Sequence, residues 1–99
     1  AREIIKTFVS ETKHNLQRME TALGNQDLPE MAETAHKLLP TYTMIGAKET
    51  IDGLTLLNEK RGCSELTDAE RHAARRIIAV SRQIMTEATK LLTEDTDRE

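Results

Sequence analysis

Ninety-nine residues are enough for one small domain with a single core and too few for two. Hydrophobic residues make up 37% and charged residues 31%, the mixture of a chain that folds alone rather than of a disordered tail. The formal charge of −3 argues against an electrostatic grip on nucleic acid or on an anionic membrane, and Phe8 and Tyr42, the only aromatic residues, are too few for a base-stacking platform. Cys63 is the only cysteine and cannot form an internal disulfide, which points to a reducing, cytoplasmic setting. No apolar run approaches the roughly 20 residues that a membrane-spanning helix needs, and the first residues do not read as a signal peptide.

In chain order the periodicity predicts four helices and no strands. Ile5, Phe8, Thr12, Leu16, Met19 and Leu23 step by three or four, an amphipathic stripe that Gly24 ends. Asp27 then stands at an N-cap position with Glu30 three residues on, and Pro29 falls in the first turn, where its missing N–H costs nothing. The second helix carries Met31, Ala35, Leu38, Tyr42 and Ile45 inward and stops at Gly46. The third segment, AKETIDGLTLLNEKRG, presents Ile51, Leu54 and Leu57 and ends at Gly62. Gly53 within it either weakens the helix or permits a close crossing. Thr67 and Glu70 repeat the capping pattern and open a long helix with Ala73, Ile77, Val80, Ile84, Ala88 and Leu91 inward. Four helices joined by short connections specify an all-α, antiparallel up-down four-helix bundle, with the first and last helices longer than the middle two.

His36 is the residue that this arrangement sets apart. At about 100° per residue it points roughly 140° away from the core direction of its helix, so it should face solvent in mid-helix. Ala32, Glu33, Thr43 and the pair Leu39 and Pro40 share its face, a surface of mainly small or apolar groups. Pro40 has no N–H for the His36 carbonyl four residues earlier, so a bend is expected there. Tyr42 and Ile45 stay in phase with the preceding stripe, which predicts that the helix continues beyond it. His14 and His72 lack Cys or His neighbours at metal-ligand spacing and read as surface histidines. Arg71, Arg75, Arg76 and Arg82 give the last helix a basic side that Glu70, Glu87, Glu94 and Asp95 dilute, a solvated face. No phosphate-binding glycine loop, Ser-His-Asp set or Cys-His arrangement is legible, so the chain does not read as an autonomous enzyme.

The stretch AHKLLPTYTMIGA resembles the signature of histidine phosphotransfer (HPt) domains, four-helix bundles in which a histidine exchanges a phosphoryl group with the aspartate of a receiver domain. His36, Leu38, Thr41, Ile45 and Gly46 fall in the places of the family's histidine, aliphatic, small, aliphatic and glycine residues. The pattern departs at two positions: Leu39 and Pro40 stand where the family usually has Lys and Gly. The resemblance implies that His36 is the phosphoacceptor and that Ala32, Glu33, Lys37, Leu39, Pro40 and Thr43 form a docking surface for a response-regulator receiver. It implies no cofactor in this chain, the Mg²⁺ being the receiver's, and a monomeric domain spanning residues 1–99 of a hybrid sensor kinase or of a stand-alone phosphorelay protein. Imidazoles have an ordinary pKa of about 6.5 and are mostly neutral at pH 7, so no general base is needed for attack on phosphorus. Because the receiver supplies most of the charge-stabilising machinery, loss of the family lysine should slow transfer or shorten the phosphohistidine's life without abolishing either. The alternative is a degenerate bundle that binds a receiver without carrying phosphate.

Overall fold

In the computed structural model, which describes residues 2–63 and 65–98 and the side chains of 3–63 and 65–92, the chain runs through four helices. They are α1 (Arg2–Gly24), α2 (Leu28–Ile45), α3 (Lys48–Glu59) and α4 (Asp68–Arg98), and no strand occurs among the described residues. Each helix packs against its neighbours in the chain, and α4 closes the ring against α1. With connections as short as residues 25–27 and 46–47 this is the antiparallel up-down bundle that the sequence predicts. No described helix is long and apolar enough to cross a membrane.

The helix ends follow local chemistry. Asp27 caps α2 by accepting the Glu30 N–H at 3.2 Å. The Glu30 carboxylate does not close the reciprocal half of the box and instead accepts from the Arg18 guanidinium of α1. At the other end Gly46 is left-handed, with φ 73°, and Ala47 N–H reaches back to the Tyr42 carbonyl at 3.0 Å. A side chain at Gly46 would meet no neighbour, so its requirement is for backbone conformation alone. α3 stops at Glu59, before the expected Gly62, and residues 60–62 continue as a turn.

At the start of α4 the Glu70 carboxylate accepts from both the N–H (3.1 Å) and the hydroxyl (2.5 Å) of Thr67. These bonds, led by the Thr67 side chain, hold its pKa below the ordinary value. A carboxyl depressed on folding contributes stability that is complete above its unfolded pKa of about 4.3 and lost as pH falls through the folded value. Thr67→Val removes the hydroxyl, and the variant is expected to lose less stability than the parent between pH 5 and the acid limb, about 3, in urea titrations.

The core comprises Leu16, Met19 and Ala22 of α1, Leu28, Met31, Ala35, Leu38 and Tyr42 of α2, Leu54 and Leu57 of α3, and Ala73, Ala74, Ile77 and Ile78 of α4. Tyr42 crosses the bundle and meets the buried Ser81 hydroxyl of α4 at 2.5 Å, so each satisfies the other's polar group. This contact puts Tyr42 level with Ser81 along the bundle. α2 therefore ends about level with Ile84, and α4 continues for several turns beside α1 alone.

That difference in length corrects two expectations. Ile45, the last residue of α2, is 45% exposed, and Leu91, on the part of α4 that runs past the end of α2, is 52% exposed. With Phe8, Ala47, Ile84 and Ala88 they line a shallow apolar groove. Ile5, Phe8, Leu23, Ile51, Val80 and Ile84 are half-buried rather than central. Conversely, α2 is flanked by both α1 and α3, which widens its buried arc to include Leu28, Ala32 and Thr34.

Gly53 marks a close approach of α3 to α4: a Cβ there would meet Ala73 Cβ and two Ile77 carbons at 3.5 Å, ordinary contact distance. Gly53→Ala adds helix propensity without overlap. It is expected to raise stability by about 0.5–1 kcal/mol in denaturant unfolding.

Candidate functional site

α2 continues through Pro40 without interruption, so the residues before and after it remain on one helical frame. His36 projects into solvent from the middle of this helix, as its angular position predicts. Its Nδ1 lies 3.1 Å from Oδ1 of Asn58, in the last turn of α3. Asn58 engages the ring at Nδ1, and with Oδ1 as the acceptor it is Nδ1–H that donates, which leaves Nε2 as the nitrogen outside this contact. The arrangement holds an exposed imidazole by one ring nitrogen from a neighbouring helix.

One turn toward the start of α2, Glu33 makes a second bridge to the same region. Its Oε1 accepts from Arg61 Nε at 3.2 Å and from Nη2 at 2.5 Å. Arg61 N–H donates to the Asn58 carbonyl at 3.3 Å, so the residue holding His36 and the residue holding Glu33 are joined through the backbone. The Arg61 guanidinium beside Glu33 keeps its carboxyl below the usual carboxylate range, with His36 and Lys37 adding smaller effects of the same sign.

Among the residues predicted for docking, Glu33, Lys37, Pro40 and Thr43 carry exposed or half-exposed side chains around His36. Ala32 does not belong with them. It is fully buried, because the side of α2 that it occupies is covered by the neighbouring helices. Leu39 is half-buried and packs against the core, so only part of it is open to a partner. His14 and His72 are exposed on α1 and α4. No group of three or more His, Cys, Asp or Glu side chains among the described residues is placed to hold a metal ion.

Asn58 and Arg61 were not legible as site residues. Their partners lie 22 and 28 residues away, and nothing local distinguishes them from an ordinary helix end. The only available signal was their spacing of three, equal to that of Glu33 and His36 on the antiparallel helix. Asn58→Ala should release the ring from its contact with α3 and let it turn freely. With one neutral hydrogen bond worth about 0.5–1.5 kcal/mol, the reactivity of the His36 imidazole toward a phosphorylating reagent such as phosphoramidate is expected to fall by about twofold to tenfold while helicity by circular dichroism is retained.

The fold and the site define a small all-α four-helix module that presents a hydrogen-bonded histidine to solvent from mid-helix. The sequence model of the Hpt domain family matches residues 3–89, and the chain belongs to this family, the histidine phosphotransfer domains of two-component systems. None of the curated proteins and none of the solved structures gives a significant match.

Proposed function

We propose that His36 is the phosphoacceptor and that the chain relays a phosphoryl group between receiver domains. The observation that carries this reading is the exposed His36 with Nδ1 engaged by Asn58 Oδ1, which leaves Nε2 available for attack when Nδ1 carries the proton. In the transfer, the Nε2 lone pair forms a bond to phosphorus as the acyl phosphate P–O bond breaks. The receiver aspartate leaves as a carboxylate, and the imidazole keeps its proton on Nδ1, hydrogen-bonded to Asn58 Oδ1. No proton has to be removed from this chain before the attack. Any Mg²⁺ in the reaction belongs to the receiver.

Glu33, Lys37, Pro40 and Thr43, with the outer part of Leu39, supply the docking surface in this reading. Pro40 takes the place of the family's glycine without adding a long side chain, and with Leu39 it offers an apolar ledge. The chain would work in the cytoplasm as a monomeric module, within a hybrid sensor kinase or as a stand-alone relay protein. The second reading, a bundle that docks receivers without carrying phosphate, is favoured by one observation, the Leu39-Pro40 pair in place of Lys and Gly.

Incubation with receiver domains charged with radiolabelled phosphate separates the two. Label that moves to the chain, and that is acid-labile but stable in alkali, is the expected result. Co-elution with the receiver without label would establish the docking bundle instead.

A further inference from the structure

A phosphoryl group on His36 places a concentrated negative charge on the surface of α2, where the residue one turn on is an uncharged leucine packed partly into the core. Two cations lie near. Lys37 is the next residue along the helix and is turned about 100° away from His36. Arg61 comes from the turn after α3, and its guanidinium is held over the same face of α2 by Glu33, three residues before His36.

The Arg61–Glu33 pair has the properties of an exchangeable contact. Both side chains are 45% exposed, so the pair is screened and weakly held. Nε and Nη2 of the guanidinium engage a single carboxylate oxygen rather than forming a parallel fork across two. The Arg61 backbone is tied to Asn58, which is itself bonded to the His36 ring. Side-chain rotation alone can therefore redirect the guanidinium along α2, without unwinding either helix. A planar guanidinium matches two oxygens of a phosphoryl group, and a dianionic phosphoryl attracts it more strongly than a monoanionic carboxylate does.

We propose that Arg61 is the phosphoryl-binding cation of this site, and that phosphorylation of His36 moves its guanidinium from the Glu33 carboxylate to the phosphoryl oxygens. The proposal rests on His36 as phosphoacceptor. Glu33 then acts as a competitor: it parks Arg61 in the resting state and, once released, stands as a second negative charge one turn from the phosphohistidine. Arg61 supplies from α3's end the charge that the family pattern usually supplies from α2 itself.

The test is the half-life of the isolated phosphorylated chain, labelled by a charged receiver or by phosphoramidate, in the parent and in Arg61→Gln, Arg61→Lys, Glu33→Gln and Lys37→Gln. Arg61→Gln is expected to shorten the half-life severalfold, Arg61→Lys to restore part of it, and Glu33→Gln to lengthen it. A purely structural ion pair would be broken equally by Arg61→Gln and Glu33→Gln, so shifts of the same sign in these two variants overturn the proposal. So does a half-life that depends on Lys37 and not on Arg61. Label on the parent with unchanged lifetimes in all variants rejects Arg61 alone, whereas no label on the parent rejects the phosphoacceptor reading and the proposal with it. Circular dichroism of each variant confirms that the bundle is intact.

Discussion

His36→Gln is expected to abolish acid-labile labelling of the chain by a phosphorylated receiver while leaving the bundle folded. The amide of glutamine has no nucleophilic lone pair, since its nitrogen is conjugated to the carbonyl, so the loss should be complete rather than graded. Its NH₂ can still donate to Asn58 Oδ1, and glutamine is at least as good a helix former as histidine. Because the side chain is exposed, the stability change should stay within about 0.5 kcal/mol. Autoradiography and thermal unfolding on the same preparation read both halves of the prediction. Label that survives, or that moves to the exposed His14 or His72, would show that the acceptor lies elsewhere.

Leu38→Ala should have the largest effect on stability. Leu38 is 2% exposed and belongs to the central cluster of α2, so truncation removes buried surface and leaves a cavity, at a cost of about 2–5 kcal/mol. Domains of this size are typically stable by about 5–15 kcal/mol, so the loss is a large part of the whole. Leu39→Ala is the comparison. Leu39 is half-buried against the same core, which makes its truncation more than a surface change, and about 1 kcal/mol is expected from the apolar area involved. Its effect on receiver affinity should exceed that of Leu38→Ala measured at equal folded fraction. Urea midpoints with a common slope decide the matter, and equal losses at the two positions would mean that α2 is rotated about its axis, with Leu39 as central to the core as Leu38.

Both predictions depend on the angular phase of α2, and that phase was legible in the spacing of its apolar residues. Leu38 and Tyr42 lie inside and His36 outside because a 3.6-residue period fixes azimuth from spacing alone. The α2 boundaries were legible for the same local reason: Asp27 offers an acceptor to a free N–H, and Gly46 adopts the left-handed conformation that ends the helix. Ala32, Ile45 and Leu91 were misplaced because azimuth says nothing about how many neighbours stand at a given height. Ala32 is covered by helices on both flanks of α2, whereas Ile45 is the terminal residue of α2 and Leu91 lies on α4 beyond the end of α2.

The sequence by itself determined four amphipathic helices, their order, the two ends of α2 and the outward direction of His36, because each of these depends on residues within about one or two turns of one another. Only the tertiary structure decided which partners the site would have. Asn58 and Arg61 reach His36 and Glu33 through the antiparallel contact of α2 with α3, and the relative height of two packed helices is set by side-chain interlocking over the whole interface. A local pattern therefore singles out His36, while its hydrogen-bond partner and the neighbouring cation depend on how far one helix slides along the other before the core closes.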